Sequence, residues 1–285
     1  QINLITGAST LNVILSSDKG TTWSAPIKVN DLITFGARDP ETGAAIRDGS
    51  ILAQLAISRK GVITAVWQDA RFSPGGSLEG VVVSQSSDGG NTWSEPVQIN
   101  RDPTVHAFLP SIHVRKDGTI GITYHDFRSN TADPATLPTD TWLTRSRDGV
   151  TWRESRVSNP FDMAKAPEAR GLFVGDYQGI TSIGPIFVPF FAKTTDDPGT
   201  ANRNDVFSHL ALGATLRGAA RDAESVTRQV EQEEAAMRAL SVQGTGRAAP
   251  TATAQTQARA KDNIERIMSH RVPNWKERMA QRAGR

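Results

Sequence analysis

Two short stretches place an aspartate and an arginine two residues apart at the end of an apolar run: Trp67-Gln68-Asp69-Ala70-Arg71 and Tyr124-His125-Asp126-Phe127-Arg128. A third region, residues 158–178, gathers Glu168, Arg170, Asp176 and Tyr177 in one long connection. Carboxyl groups move protons in a transition state, and a planar guanidinium holds a carboxylate through two parallel hydrogen bonds. Glu, Arg, Asp and Tyr in one loop can serve a retaining displacement, in which one group attacks and another handles the proton. Each Asp–Arg pair has two readings. It binds a ligand, or it bonds within its own loop, and its recurrence along the chain favours the second. Tyr177 is a reacting group beside Glu168 or Asp176, or it packs at the base of the strand that Gly175-Asp176-Tyr177-Gln178-Gly179 opens. Other connections carry Arg38, Asp39, Glu41, Arg47 and Asp48, then Arg101, Asp102 and His106.

The elements that position these groups repeat. Ser16-Ser17-Asp18-Lys19-Gly20-Thr21-Thr22-Trp23 and Ser86-Ser87-Asp88-Gly89-Gly90-Asn91-Thr92-Trp93 share S-x-D-x-G-x-T-W, and Ser146-Arg147-Asp148-Gly149-Val150-Thr151-Trp152 is one residue shorter. Each follows an apolar run, as the turn of a hairpin does. The aspartate can accept hydrogen bonds from amides of its own loop, glycine supplies positive φ, and tryptophan covers the hairpin. A second repeat places an aromatic six residues after a turn glycine: Gly61 to Trp67, Gly118 to Tyr124 and Gly184 to Phe190. Each unit therefore reads as strand A, turn, strand B, loop, strand C, box turn, strand D, a four-stranded blade.

The boxes resemble the Asp-box, or bacterial neuraminidase repeat, of the sialidase superfamily, over roughly residues 10–213. The resemblance implies an all-β, sialidase-type β-propeller, with about three and a half four-stranded blades present. It also implies that the first blades are missing, so that the chain is the C-terminal half of a six-bladed whole. The A–B and box turns share one end of such blades, and the B–C loops and D–A connections share the other. Asp18, Trp23, Asp88, Trp93, Asp148 and Trp152 are then structural. The opposite end, where loops on a rigid scaffold carry function, receives the candidates. By this resemblance Arg71, Arg128 and Arg170 belong to a cluster that holds a sugar carboxylate. Tyr177 is a nucleophile assisted by Glu168 or Asp176, with Asp126 and Asp69 as further acids. The family's Arg-Ile-Pro signature is absent. The implied activity is exo-α-sialidase-type hydrolysis of terminal sugars on a glycan or glycoconjugate, in a secreted or periplasmic protein. The alternative is a non-catalytic glycan- or protein-binding module.

The chain has no cysteine, which excludes disulfides and thiolate metal sites. Its five histidines show no metal-ligand spacing, and no dinucleotide or phosphate-loop motif occurs, so neither metal nor cofactor is expected. No apolar run reaches the length of a membrane span. Residues 1–213 hold 19 basic and 22 acidic residues, against 13 and 8 in residues 214–285. The second region reads as a basic tail, with helices near 219–240 and 261–270 and a flexible linker near 241–260. It is either a mobile extension or an arm for a protein partner. Without aromatic–basic interleaving, nucleic acid is not an expected ligand.

Overall fold

The computed structural model describes residues 9–195 and 203–209. The helices and linker expected in 214–285 lie outside them. The described chain is built of four antiparallel sheets in sequence order. The first pairs β1 (Ser9–Val13) with β2 (Ile27–Leu32). The second runs β3 (Gln54–Ile57), β4 (Ile63–Asp69), β5 (Gly80–Ser86), β6 (Val97–Gln98). The third runs β7 (Ala107–Val114), β8 (Ile120–Asp126), β9 (Pro138–Ser146), β10 (Arg153–Arg156), and β11 (Phe161–Asp162) adds to β9. The fourth runs β12 (Gly179–Ile183), β13 (Ile186–Thr194), β14 (Asn204–Ser208). Apart from β11, every strand pairs with a chain neighbour, as turns between consecutive strands dictate.

Central strands are buried on both faces. In β4 and β8 nearly every position is closed to solvent, because each sheet is packed between two others. Val66, Val81 and Val83 of the second sheet meet Ala107, Ile112, Ile122 and Tyr124 of the third. On the other face of the second sheet, Ala65, Trp67 and Val82 meet Val29, Leu11 and Val13 of the first. Leu143 of the third sheet packs with Phe187 and Phe191 of the fourth. Each such side chain contributes roughly 1.5–3 kcal/mol on burial, so the seams hold the sheets in order.

A fourth core belongs to the connections themselves. Ala37, Ile46, Phe108, Leu109, Phe127, Leu137, Phe161, Met163, Ala166 and Val174 cluster at the end of the sheets where β4 and β8 finish. The long loops are thus packed rather than draped, and side chains they carry have fixed positions. Backbone pairing adds to this: Arg47 N donates to Leu172 O at 3.0 Å, and Leu172 N to Ala45 O at 2.9 Å. Gly171 makes that approach, since a Cβ there would lie 2.7 Å from the Ala45 oxygen.

Candidate functional site

The box turns and the candidate residues lie at opposite ends of the sheets. At the box end, Asp18 accepts from Thr22 N at 2.8 Å and Thr22 Oγ1 at 2.6 Å, and Ser16 Oγ donates to it at 2.8 Å. Asp88 accepts from Thr92 N at 3.0 Å and Thr92 Oγ1 at 2.6 Å. Asp148 accepts from Val150 N at 2.9 Å and Thr151 N at 2.7 Å. These donors hold all three carboxyls below the ordinary range, Asp18 at about 2. Trp93 and Trp152 cover the seams of the second and third sheets, whereas Trp23 remains exposed.

At the loop end the two Asp–Arg pairs stand in separate networks. Arg71 donates to both oxygens of buried Asp69, each at 2.7 Å, and to Asn30 Oδ1 at 2.6 Å; Trp67 Nε1 adds a bond to Asp69 at 3.0 Å. Arg128 pairs with Asp126 and, at 2.5 Å, with Glu154 Oε2. Trp142 Nε1 donates to Asp126 at 2.8 Å, Tyr124 donates its hydroxyl to Glu154, and the Arg128 guanidinium lies 3.7 Å from the Trp142 ring centroid. Burial outweighs the Arg128 charge and pushes Asp126 up to about 6. Asp140 faces Asp126 across the strands. Arg156 approaches its Oδ1 at 3.1 Å, yet neither Asp140 oxygen has a hydrogen-bond donor among the described residues.

The third group is assembled by two loops. Arg47 Nε and Nη2 donate to the two oxygens of Asp176 at 3.2 and 2.7 Å, and its guanidinium stacks 4.2 Å from the Phe173 centroid. Arg47 Nη1 reaches the Ala169 carbonyl at 3.4 Å. Glu168 accepts from Gly171 N at 2.6 Å, and Arg170, at φ 66°, is exposed. Tyr177 is 76% exposed, so it does not pack at the base of β12. Glu168, Arg170, Asp176 and Tyr177 therefore share one loop pair, while Asp69–Arg71 and Asp126–Arg128 are tied up elsewhere.

Three buried groups complete this end. Asp48 accepts from Ala37 N at 2.6 Å, Gln68 Nε2 at 2.8 Å and Ser50 N at 3.0 Å. Glu79 Oε1 accepts from Thr34 Oγ1 at 2.9 Å, Phe35 N at 2.7 Å and Gly36 N at 2.9 Å, and its Oε2 is buried without a hydrogen-bond partner among the described residues. Burial raises the proton affinity of both carboxyls above the ordinary range. His106 Nδ1 accepts from Glu79 N at 3.0 Å. Glu79, Asp140 and Glu154 carry no motif in the sequence. Their importance comes from burial and from cross-strand register, neither of which local spacing encodes.

Burial pushes the His106 and His125 imidazoles down to about 4 from an ordinary 6.5. A histidine kept neutral in the fold favours the fold fully above its unfolded value. That advantage is lost as pH falls from 6.5 towards 4. Asp48, Glu79 and Asp126, pushed upward, act in the opposite sense, so the comparison must isolate one group. In urea titrations, the stability difference between the native chain and His125→Asn is expected to shrink as pH falls from 7 to 4.5. A difference independent of pH would show that His125 has the same charge folded and unfolded.

No protein-family model and no curated protein matches the sequence. Among solved structures the chain is similar to the phage phi92 endosialidase, with 10% identity, a TM-score of 0.41, and coverage of 73% of this chain and 33% of that one. It is also similar to the GH93 α-L-arabinofuranosidase of Fusarium graminearum, solved with arabinobiose, at 16% identity and TM-score 0.36, covering 69% and 52%. The intramolecular trans-sialidase of Ruminococcus gnavus, solved with oseltamivir carboxylate, gives 15% identity and TM-score 0.36, covering 72% and 39%. The chain spans about half or less of each of these three chains. By its successive antiparallel sheets, packed face to face with long connections packed at one end, the described chain has an all-β, propeller-like architecture.

Proposed function

We propose that the chain forms part of a glycan-acting propeller, a glycoside hydrolase working on terminal sugars. One observation carries this reading: the packed loop end carries exposed Phe35 and Tyr177 and, buried within it, two carboxyl groups of raised proton affinity. A sugar offers an apolar face for a ring to cover and hydroxyls for polar groups to bond. Phe35 is joined to Glu79 through its own amide, and Gly49, next to Asp48, lies close to the Asp176 carbonyl.

In the exo-sialidase form of the reading, the Tyr177 oxygen attacks the anomeric carbon and Glu168 takes its proton. The glycosidic bond breaks, and a carboxylic acid, for which Asp48 is the candidate in this loop pair, protonates the leaving oxygen. Water then hydrolyses the glycosyl–tyrosine bond. A neutral phenol suits an anionic sugar, which a carboxylate nucleophile would repel. Arg71 and Arg128 are held by their own carboxylates, so recognition of a sugar carboxylate falls to exposed Arg170 and Arg38.

A panel of fluorogenic sialosides and neutral glycosides, offered to the full chain, tests this. Turnover is expected, reduced at least about 100-fold in Tyr177→Phe and in Glu168→Gln, with urea midpoints unchanged. No turnover across the panel would sink the enzymatic reading. A second reading, a non-catalytic glycan- or protein-binding module, is favoured by the near-complete burial of Asp48 and Glu79, at 3% and 1% exposed. Glycan binding without turnover, lost in Phe35→Ala, would establish it.

A further inference from the structure

At the box end, the seam between the third and fourth sheets carries a line of basic residues, and strand register sets it. His113 pairs with Gly121, Gly121 with Arg145, and Arg145 with Arg153. Residues paired across strands share a face. This face looks towards the fourth sheet: Leu143, two residues from Arg145, packs with Phe187 and Phe191, and His113 Nε2 lies 3.0 Å from Ser182 Oγ. Arg115 stands 5.3 Å from the Phe187 centroid and donates to the Pro185 carbonyl. A cleft of about 390 Å³ opens here, lined by Arg115, Lys116, Asp117, Ser182, Gly184 and Pro185.

The charges in this seam are out of balance. Arg115 is paired with Asp117. Arg145 is half-buried, and among the described residues it has no carboxylate partner, only a 3.4 Å bond to Ser155 Oγ. Directly opposite it across the strands stands Arg153, and like charges in that position destabilise a sheet. Burial and nearby Arg115 lower the proton affinity of Arg145. Half-buried Arg145 and exposed Arg153, which repel one another with no carboxylate paired to either among the described residues, are relieved by an anion.

We propose that this seam is an oxyanion-binding site, in which Arg145 and Arg153 take the sulfate or phosphate group of a small ligand. Guanidinium forks match the oxygens of such groups, and strand register holds the two side chains on one face of the sheet. The site lies at the end opposite the loop face and is independent of the catalytic reading.

The test uses the full chain, with titration calorimetry and thermal unfolding at constant ionic strength. The probes are inorganic sulfate, inorganic phosphate and glucose 6-phosphate, against chloride. Sulfate stabilises proteins generally by exclusion from their surface, so the readout is the difference between variants. The native chain is expected to bind saturably, and Arg145→Gln and Arg153→Gln to bind at least tenfold more weakly. In chloride alone, Arg145→Gln is expected to melt at the same temperature as the native chain or higher, because a repulsion has been removed. Tighter binding of glucose 6-phosphate than of the inorganic ions would assign a phosphorylated ligand, and equal binding a free oxyanion. Absence of saturable binding, undiminished binding in both variants, or a lower melting temperature of Arg145→Gln in chloride would each overturn the proposal.

Discussion

Arg128→Ala is expected to destabilise the fold by about 3–5 kcal/mol, the range for removing one partner from a buried ion network. Arg128 serves two carboxylates at once, Asp126 and Glu154, and both are nearly closed to solvent. Its removal takes the cation from both. It also uncovers the Trp142 ring, against which the guanidinium stacks. Arg128→Lys is expected to recover little, since a compact ammonium cannot bridge two carboxylates and cover a ring in the same way. Urea unfolding followed by tryptophan fluorescence checks both variants. A loss below about 1 kcal/mol, the range for exposed pairs, would mean that the network is loose and Arg128 is available to a ligand. The result bears on function, because activity lost in Arg128→Ala can be assigned to substrate binding only if the fold survives.

Gly121→Val is expected to cost about 3 kcal/mol, the upper end for overpacking a close-packed interior. Gly121 lies in β8, where its φ needs no glycine. The requirement comes from the next sheet: a Cβ would meet the Phe187 ring at 2.4–2.7 Å. Phe187 is almost fully buried and cannot swing clear, being fixed by Leu143, Val157 and Phe191. The added side chain therefore pushes the third and fourth sheets apart. If that is the cause, combining Gly121→Val with Phe187→Leu will cost less than the sum of the two single changes. Strict additivity in denaturant titrations would place the damage within β8 itself.

Much of the scaffold could be read from local pattern. The Ser-x-Asp-x-Gly turns and the glycine-to-aromatic spacing mark consecutive hairpins, because a turn's hydrogen bonds are made by residues four apart or fewer. Asp18 and Thr22 meet wherever that turn forms. The Asp–Arg spacing at residues 69–71 and 126–128 is likewise local, and both arginines bond to the aspartate two residues before them. His113 alternates with apolar neighbours in the sequence, and it faces Ser182 of the adjacent sheet.

Other features arise only when distant segments meet. Arg47 and Asp176 are 129 residues apart and form the ion pair that ties two loops together. Glu154 has no motif, and register alone brings it to Arg128 and Tyr124. Tyr177 is exposed because the loops beneath it form a core of their own, which no periodicity in those loops announces. The like-charged pair of Arg145 and Arg153 is invisible until β9 and β10 are aligned. The sequence by itself determined the turns, the strands and which end of each strand bears charge, since those depend on neighbours along the chain. The tertiary structure decided which charges are satisfied and which are left over, since burial and pairing depend on neighbours in space.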